Sequence, residues 1–169
     1  GRPVNDLWSM QNGYALATRT GLEMIGAHLR ETGDAAVNEL AGHLRVGVHQ
    51  GVEATDGPSS PGPRVTQVFC SALPVAYGRW PQQLWQEFAQ LILDAAYEAT
   101  LLAGVLNSRQ GGSNIVLLTL LGGGAFGNAS EWIHTAIQRA LDKTQVHGLD
   151  VRMVSYGQPS AQLQALVEL

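Results

Sequence analysis

Residues 118–133, LTLLGGGAFGNASEWI, form the stretch that decides the fold. An apolar run leads into four glycines within the six residues Gly122 to Gly127, and the pattern that follows is typical of a helix start. A glycine-rich turn between a strand and a helix can hold a phosphate group, because its amides and the helix N-terminus both favour negative charge. The stretch therefore predicts a strand, an anion-binding turn and a helix in succession.

Helices and strands alternate on both sides of this turn. Pro81 opens a long predicted helix with an apolar stripe, and NIVLLTLL (114–121) is apolar at nearly every position. Such a run is typical of a central strand covered on both faces. A helix over 130–143 and a strand over 149–157 follow, and the chain closes with a short helix rich in Gln and Leu. This order predicts parallel pairing and an α/β three-layer sandwich with a mixed, largely parallel sheet.

The amino-terminal half contains weaker signals. Apolar spacing predicts a turn and then a helix between Trp8 and Leu29, and Asp34 is a plausible N-cap for a second helix that ends near Gly42. Alternation of apolar and polar residues predicts a strand over 44–54. A second strand is expected at 64–73, ending before Pro74, with the loop GPSSPGP between the two strands.

Composition limits the class of protein. The chain has 169 residues, of which 45% are hydrophobic and 14% charged, and its net charge is −4. These values predict a single domain over residues 1–169 and no nucleic-acid partner, since no basic cluster is present. The lone cysteine favours a reducing, cytoplasmic setting. The sequence contains no uninterrupted apolar window of about 20 residues, so no membrane span is predicted.

The glycine turn satisfies the dinucleotide fingerprint GxGxxG with Gly122, Gly124 and Gly127. The next strand, however, ends in Ser155 and Tyr156 rather than in the acidic residue that would bind a ribose. A triphosphate loop is also disfavoured, because no Lys or Ser/Thr follows the last glycine in the required places. The capacity of the free amides to bind an anion is independent of both motifs.

The segment GGGAFGN, which lies between an apolar strand and a helix, resembles the phosphate loop of poly(ADP-ribose) glycohydrolases and their macro-domain relatives. The order of VFCSALPVAY, the Pro81 helix, NIVLLTLL and GGGAFGN is also similar to that in bacterial members of the group. The resemblance covers roughly residues 64–157, and the loop is its one specific part.

The resemblance implies that the protein binds ADP-ribose or a related nucleotide diphosphate, free or attached to protein. It implies that the loop holds the diphosphate and distal ribose, with Phe126 against the ribose. It further implies that the exit of the neighbouring strand lines the same cleft, and that no metal or cofactor takes part. The residues involved would be Gly122, Gly123, Gly124, Ala125, Phe126, Gly127 and Asn128 in the loop, and Ser71, Ala72, Leu73 and Pro74 in the exit.

Two departures from the family bear on catalysis and completeness. The glycohydrolases carry a second glycine loop followed by Gln-Glu-Glu, whose carboxylate protonates the leaving oxygen, and this chain has no such segment. ADP-ribosyl hydrolysis is therefore left without a catalytic residue. Nothing before Leu44 reads as the family's first strands, so we expect either a missing N-terminal segment or partner chain that completes the fold, or a divergent variant.

Other candidate residues have plainer explanations. Glu98 is a conceivable buried acid, but it shares one helix face with Glu87 and Asp94, which favours a solvated stripe. The five histidines have no metal-binding spacing. Trp132 is expected in the core rather than stacked on a ligand.

Two further functions stay open from the sequence. The chain is alternatively a structural or assembly subunit whose glycine turn only packs, in which case Gly124→Val would damage folding rather than affinity. It is otherwise a small-molecule enzyme that uses Cys70 at the end of a strand, although no motif supplies a base for that thiol.

Overall fold

The structure of the protein is a computed structural model that describes residues 6–155, 157–159 and 161–167. Its helices are α1 (Arg19–Glu31), α2 (Asp34–Gly42), α3 (Gln86–Arg109), α4 (Ser130–Thr144) and α5 (Ala161–Val167). Its strands are β1 (Trp8–Gln11), β2 (Tyr14–Ala17), β3 (Gly47–Glu53), β4 (Arg64–Phe69), β5 (Ile115–Leu118) and β6 (Asp150–Met153). Short 3-10 turns occupy Val75–Tyr77, Gln82–Trp85 and Gln145–His147.

The first strands form a hairpin that the sequence did not reveal. β1 and β2 pair antiparallel across a two-residue turn at Asn12 and Gly13, whose φ angles are 49° and 83°. Both angles are positive, as a primed hairpin turn requires. α1 begins after Thr18, whose hydroxyl accepts a hydrogen bond from the Gly21 amide at 2.9 Å and caps the helix. The predicted turn and helix from Trp8 are therefore corrected to a hairpin followed by a helix.

A second hairpin follows α2. β3 and β4 pair antiparallel, with an irregularity in register between His49 and Val52. Both strands were predicted, although β4 ends at Phe69, before the predicted boundary. The cap of α2 is corrected from Asp34 to Gly33, and the Gly33 position makes no side-chain cap hydrogen bond.

The core lies where α3 and α4 pack together. Leu93 and Leu101 of α3 and Ile133 and Ile137 of α4 are almost inaccessible to solvent, and Leu118 of β5 joins them. Within the described ranges, the segment Gln82–Arg109 that contains α3 is the one helix long and apolar enough to cross a membrane by length and composition. It also supplies one side of this core.

The predicted three-layer sandwich with a largely parallel sheet is wrong. The described strands form three separate two-stranded sheets: β1–β2 and β3–β4 are antiparallel, and β5–β6 is parallel. Among the described strands, parallel pairing is present only between β5 and β6, which the helix α4 connects. The other two pairs are joined by connections too short for a parallel crossover, so they can pair only antiparallel.

The prediction of a central strand covered on both faces is also wrong. In the described structure β5 has one neighbour, β6, and a covered side formed by Val116 and Leu118. On the opposite side Ile115 is 43% exposed and Leu117 is 65% exposed. The strand over 149–157 is shorter than predicted and ends at Met153, while Tyr156 lies outside the described residues.

Candidate functional site

The glycine-rich turn folds as a tight loop between β5 and α4. Gly122 and Gly127 have φ angles of 77° and 68°, which glycine adopts without the steric cost of a Cβ. The Asn128 amide donates to the Gly122 carbonyl at 3.0 Å, and the Gly127 amide donates to the Gly124 carbonyl at 3.0 Å. The loop is therefore closed by its own backbone.

The loop is tied to the segment that follows β4. The Asn128 side chain is buried at 4% exposure, and its Nδ2 donates to the Leu73 carbonyl at 2.9 Å. The Ala76 amide donates to the Phe126 carbonyl at 2.8 Å. A Cβ added to Gly122 would lie 2.5 Å from the Ala72 Cβ, which is too close for any side chain. The two predicted ligand-binding segments are thus in direct contact.

This contact changes how the strand exit can take part in binding. Ala72, Leu73 and Pro74 are buried, so their side chains fill the space beside the loop rather than line an opening. Ser71 is exposed, and its hydroxyl donates to the Ala72 carbonyl at 3.0 Å. Any ligand at this site has to lie on the outer side of the loop.

Several loop amides have no hydrogen-bond partner within the described chain. The Gly123 amide donates to the Leu120 carbonyl at 3.1 Å and is not among them. Gly124 and Ala125 are exposed and Phe126 is half-buried, and within the described chain their amides donate no hydrogen bond. α4 starts after Ala129, which provides no side-chain cap. Within the described chain the Ser130 and Glu131 amides donate no hydrogen bond, whereas the Trp132 amide donates to the Ala129 carbonyl at 3.1 Å.

Tyr97 of α3 is hydrogen-bonded to the segment that leads from β5 into the loop. Its hydroxyl donates to the Thr119 carbonyl at 2.7 Å and accepts from the Leu121 amide at 2.8 Å. Burial raises the pKa of Tyr97 to about 12, although the hydrogen bond from Leu121 acts in the opposite direction. Sequence reasoning missed this residue, because its partners lie more than 20 positions further along the chain and no motif marks it.

Three aromatic rings border the loop. Tyr14 of β2, Tyr77 and Phe126 pack edge to face, with ring centroids 5.2 to 5.7 Å apart. Tyr14 and Tyr77 keep 38% and 47% of their surface exposed. The resemblance implies that Phe126 lies against a ribose, but no pattern in the sequence indicates its two tyrosine neighbours.

The acidic residues of α3 are engaged in ion pairs. Glu87 contacts Arg30 at 2.6 Å, and Glu98 contacts Lys143 and Arg139 at 2.6 and 2.9 Å. Burial alone would raise the pKa of Glu98, but the hydrogen bonds from Lys143 and Arg139 lower it overall. Glu98 is therefore ionised at neutral pH and unsuited to act as a proton donor.

Asp94 lies on the same helix face, 3.7 Å from the Arg139 guanidinium. Burial raises its pKa, while the hydrogen bond from Gln90 and the charge of Arg139 oppose the rise. The predicted solvated stripe is thus a half-buried row whose members pair with other helices.

Cys70 is a half-buried thiol after β4. Its Sγ lies 4.0 Å from the Thr100 Oγ1, and burial raises the pKa of the thiol despite that contact. Within the described chain it contacts no histidine or carboxylate through a hydrogen bond. An inactivated thiol of this kind is a poor nucleophile.

A groove of about 710 Å³ lies elsewhere, between the β3–β4 hairpin, α3 and β5. None of the predicted ligand-binding residues lines it. No group of three or more His, Cys, Asp or Glu side chains within the described ranges could hold a metal ion.

The chain matches no protein-family model, and neither the curated proteins nor the solved structures contain a significant match to it. The functional assignment therefore depends on the geometry of these residues and on the resemblance of GGGAFGN.

Proposed function

We propose that the loop binds the diphosphate of ADP-ribose, or of a related nucleotide diphosphate. The observation that carries the proposal is the set of unpaired amides at Gly124, Ala125 and Phe126, next to the uncapped N-terminus of α4. Unpaired amides and the positive end of a helix dipole together favour an anion. The side of Gly124 is open, since a Cβ there would meet no atom within 4 Å.

The aromatic rings beside the loop support a ligand with a sugar rather than a simple anion. Tyr14, Tyr77 and Phe126 offer an apolar, half-exposed edge next to the amides. Aromatic faces of this kind commonly pack against the rings of ligands. In the proposed complex the diphosphate lies on the amides and the distal ribose lies against Phe126, as the family resemblance implies.

The proposal is for binding, and hydrolysis has no assigned residue. Glu131, in the first turn of α4, is the one acidic residue in that turn. Its charge opposes that of a bound diphosphate, so Glu131→Gln should bind more tightly than the unmodified protein. The ligand is ADP-ribose itself or ADP-ribose attached to a protein, no cofactor is required, and the lone cysteine fits a cytoplasmic setting.

Titration calorimetry of the full chain with ADP-ribose tests the proposal, with ADP, NAD and inorganic phosphate as comparisons. Binding of ADP-ribose is expected to be tighter than that of phosphate, because the sugar adds contacts to the aromatic rings. If neither ADP-ribose, ADP nor NAD binds at millimolar concentration, the proposal fails.

Two glycine variants make the test specific. Gly124→Val should fold normally, because the added side chain meets open space, but it should weaken ADP-ribose binding at least tenfold by covering the amides. Gly57→Val is the matched control, since it also meets open space and lies in an exposed loop far from the site in sequence. An unchanged affinity in Gly124→Val would place the ligand elsewhere.

A structural or assembly role is the second candidate, and the tight contacts of the loop favour it. A Cβ on Gly127 would approach the Ala76 Cβ to 2.8 Å, as that on Gly122 approaches Ala72. These glycines therefore serve packing whatever the function. Under this alternative no nucleotide binds and Gly122→Val or Gly127→Val lowers the stability of the protein, whereas the loss of stability expected from the sequence for Gly124→Val is corrected, since its side chain meets open space. An enzyme based on Cys70 is not proposed, because burial keeps its thiol protonated.

A further inference from the structure

The groove between β4 and β5 has two open strand edges as its walls. Thr66 and Val68 line it from β4, and Ile115 and Leu117 line it from β5. Small residues of α3 form part of its floor, including Gly104, where a Cβ would come within 2.5 Å of the Val116 side chain. Each wall belongs to a two-stranded sheet, and its partner strand, β3 for β4 and β6 for β5, lies on the side away from the groove.

The main-chain groups of β5 show which residues face the groove. The Asp150 amide donates to the Asn114 carbonyl at 3.0 Å, and the Val154 amide donates to the Leu118 carbonyl at 2.7 Å. Alternate residues of a strand direct their N–H and C=O groups to opposite sides. Ile115 and Leu117 therefore direct theirs away from β6 and into the groove. The Ile115 amide is bonded to the Ser113 hydroxyl, but the Leu117 groups have no partner within the described chain.

The main-chain groups of β4 alternate between its two sides in the same way. The Ala54 amide donates to the Pro63 carbonyl at 2.9 Å, so the main-chain groups of Pro63, and of Val65 two residues later, face β3. Those of Thr66 and Val68 consequently face the groove. Two rows of main-chain donors and acceptors thus face each other across one cavity, which is the chemistry that an additional β-strand satisfies on both of its edges.

The outer surface of these sheets also lacks a cover. Leu117 is 65% exposed and Phe69 is 53% exposed, and Ile115 and Val65 lie nearby along the same strands with 43% and 38% exposed. Open edges flanked by apolar side chains promote uncontrolled strand pairing, and native proteins usually cover them. The apolar side chains of an inserted strand would extend this surface on one face and contact α3 on the other.

A strand of the described chain cannot fill the groove. Every described strand is already paired along one edge, whereas the inserted strand must have both edges free. The same holds for the described strands of a second copy. The described strands are therefore ruled out as occupants, and the groove requires an extended segment with two free edges.

We propose that the groove receives an extended segment of a partner protein, which pairs with β4 on one edge and β5 on the other. The result is one five-stranded sheet in the order β3, β4, partner, β5, β6. Among the described residues that line the groove, Arg64 is the one that is charged, which favours a partner segment of alternating apolar residues with an acidic side chain at the Arg64 end. This proposal does not depend on nucleotide binding by the glycine loop.

The test begins by selecting displayed random ten-residue peptides on the immobilised full chain. Hydrogen exchange is then measured by NMR with the selected synthetic peptide added. The amides of Thr66, Val68 and Leu117 are expected to exchange at least tenfold more slowly in the complex, while those of β2 stay unchanged. Selected sequences should show alternating apolar residues and an acidic residue.

Two variants identify the groove as the binding site. Leu117→Pro removes an N–H that faces the groove and should weaken peptide binding at least tenfold. Because proline can also disturb β5, Arg64→Glu serves as a second variant and should weaken binding of acidic peptides at least fivefold. Arg45→Glu carries the same charge change on an exposed residue that does not line the groove, and it should bind as the unmodified chain does.

Three outcomes would overturn the proposal. The first is that no peptide slows exchange at the groove amides at concentrations up to 1 mM, or that the bound peptide protects another segment. The second is that Arg64→Glu and Arg45→Glu bind equally well. The third is that the groove amides become protected without peptide as protein concentration rises, which would identify a second copy as the occupant.

Discussion

Replacing Tyr97 by phenylalanine tests how the glycine loop is held in place. The substitution keeps the ring and removes one oxygen, which donates to the Thr119 carbonyl at 2.7 Å and accepts from the Leu121 amide at 2.8 Å. Each hydrogen bond contributes about 0.5 to 1.5 kcal/mol net. Leu121 keeps a second bond to Thr119 at 2.9 Å, which limits the loss. We therefore expect Tyr97→Phe to lower the free energy of unfolding by about 1 to 2 kcal/mol.

The assay is urea unfolding followed by tryptophan fluorescence, with Tyr14→Phe as the control. The Tyr14 hydroxyl makes no hydrogen bond within the described chain, so its removal should change stability by less than about 0.5 kcal/mol. A loss below about 0.5 kcal/mol in Tyr97→Phe would refute the view that this hydroxyl anchors the loop.

The Tyr97→Phe variant should also differ from the unmodified protein in how its stability depends on pH. The folded pKa of Tyr97 is about 12, whereas its ordinary value is 10.0. Because the folded value is the higher one, the protonated hydroxyl stabilises the fold below pH 10, and this stabilisation is lost as the pH rises from 10 towards 12. The unmodified protein should therefore lose more stability than Tyr97→Phe between pH 9 and 11. Equal losses in the two proteins would contradict the assigned burial.

Two further predictions concern α3 and the strand exit. Hydrogen bonds from Lys143 and Arg139 hold the pKa of Glu98 in the folded protein below its ordinary value. The ionised carboxylate therefore stabilises the fold above the ordinary pKa, and this stabilisation is lost as the pH falls through the pKa of the folded protein. Urea midpoints between pH 3 and 6 should fall more steeply for the unmodified protein than for Glu98→Gln, and parallel curves would argue against the pairing. Burial raises the pKa of Cys70, so its alkylation by iodoacetamide should be slower than that of glutathione at pH 8, and a faster reaction would show that the thiol is activated.

The local features of the glycine loop could be predicted from sequence because they follow from residue type. Gly122 and Gly127 adopt positive φ angles, and α4 starts at Ser130 as its pattern indicated. The side chains that support the loop could not be predicted. Tyr97 and Asn128 act through carbonyls of distant segments, and no spacing along the chain specifies which carbonyl a polar side chain will reach.

The pairing of strands was predicted poorly for a related reason. Alternation and β-branched residues located β3 and β4, but they do not say which strands become neighbours. The two-residue turn at Asn12 and Gly13 is typical of a hairpin, but the apolar spacing after Tyr14 also fits a helix and predicts one there. Helix and strand periods are hard to separate over so few residues.

The segment NIVLLTLL differs from its predicted environment for another reason, and this difference bears on function. A strand that is apolar on both sides is normally covered on both sides, because exposed apolar surface has an unfavourable free energy in water. The described chain covers Val116 and Leu118 but leaves Ile115 and Leu117 open, with the Leu117 main-chain groups unpaired beside them. The composition of β5 is therefore typical of a strand with more neighbours than the described residues provide. An added strand in the groove supplies both the missing hydrogen bonds and a neighbour for the exposed side chains.

Such a strand would pair with β5 only a few residues before the glycine loop. If the loop binds a nucleotide as proposed, occupancy of the groove should then tighten nucleotide binding by stabilising β5, and the nucleotide should tighten peptide binding by the same factor.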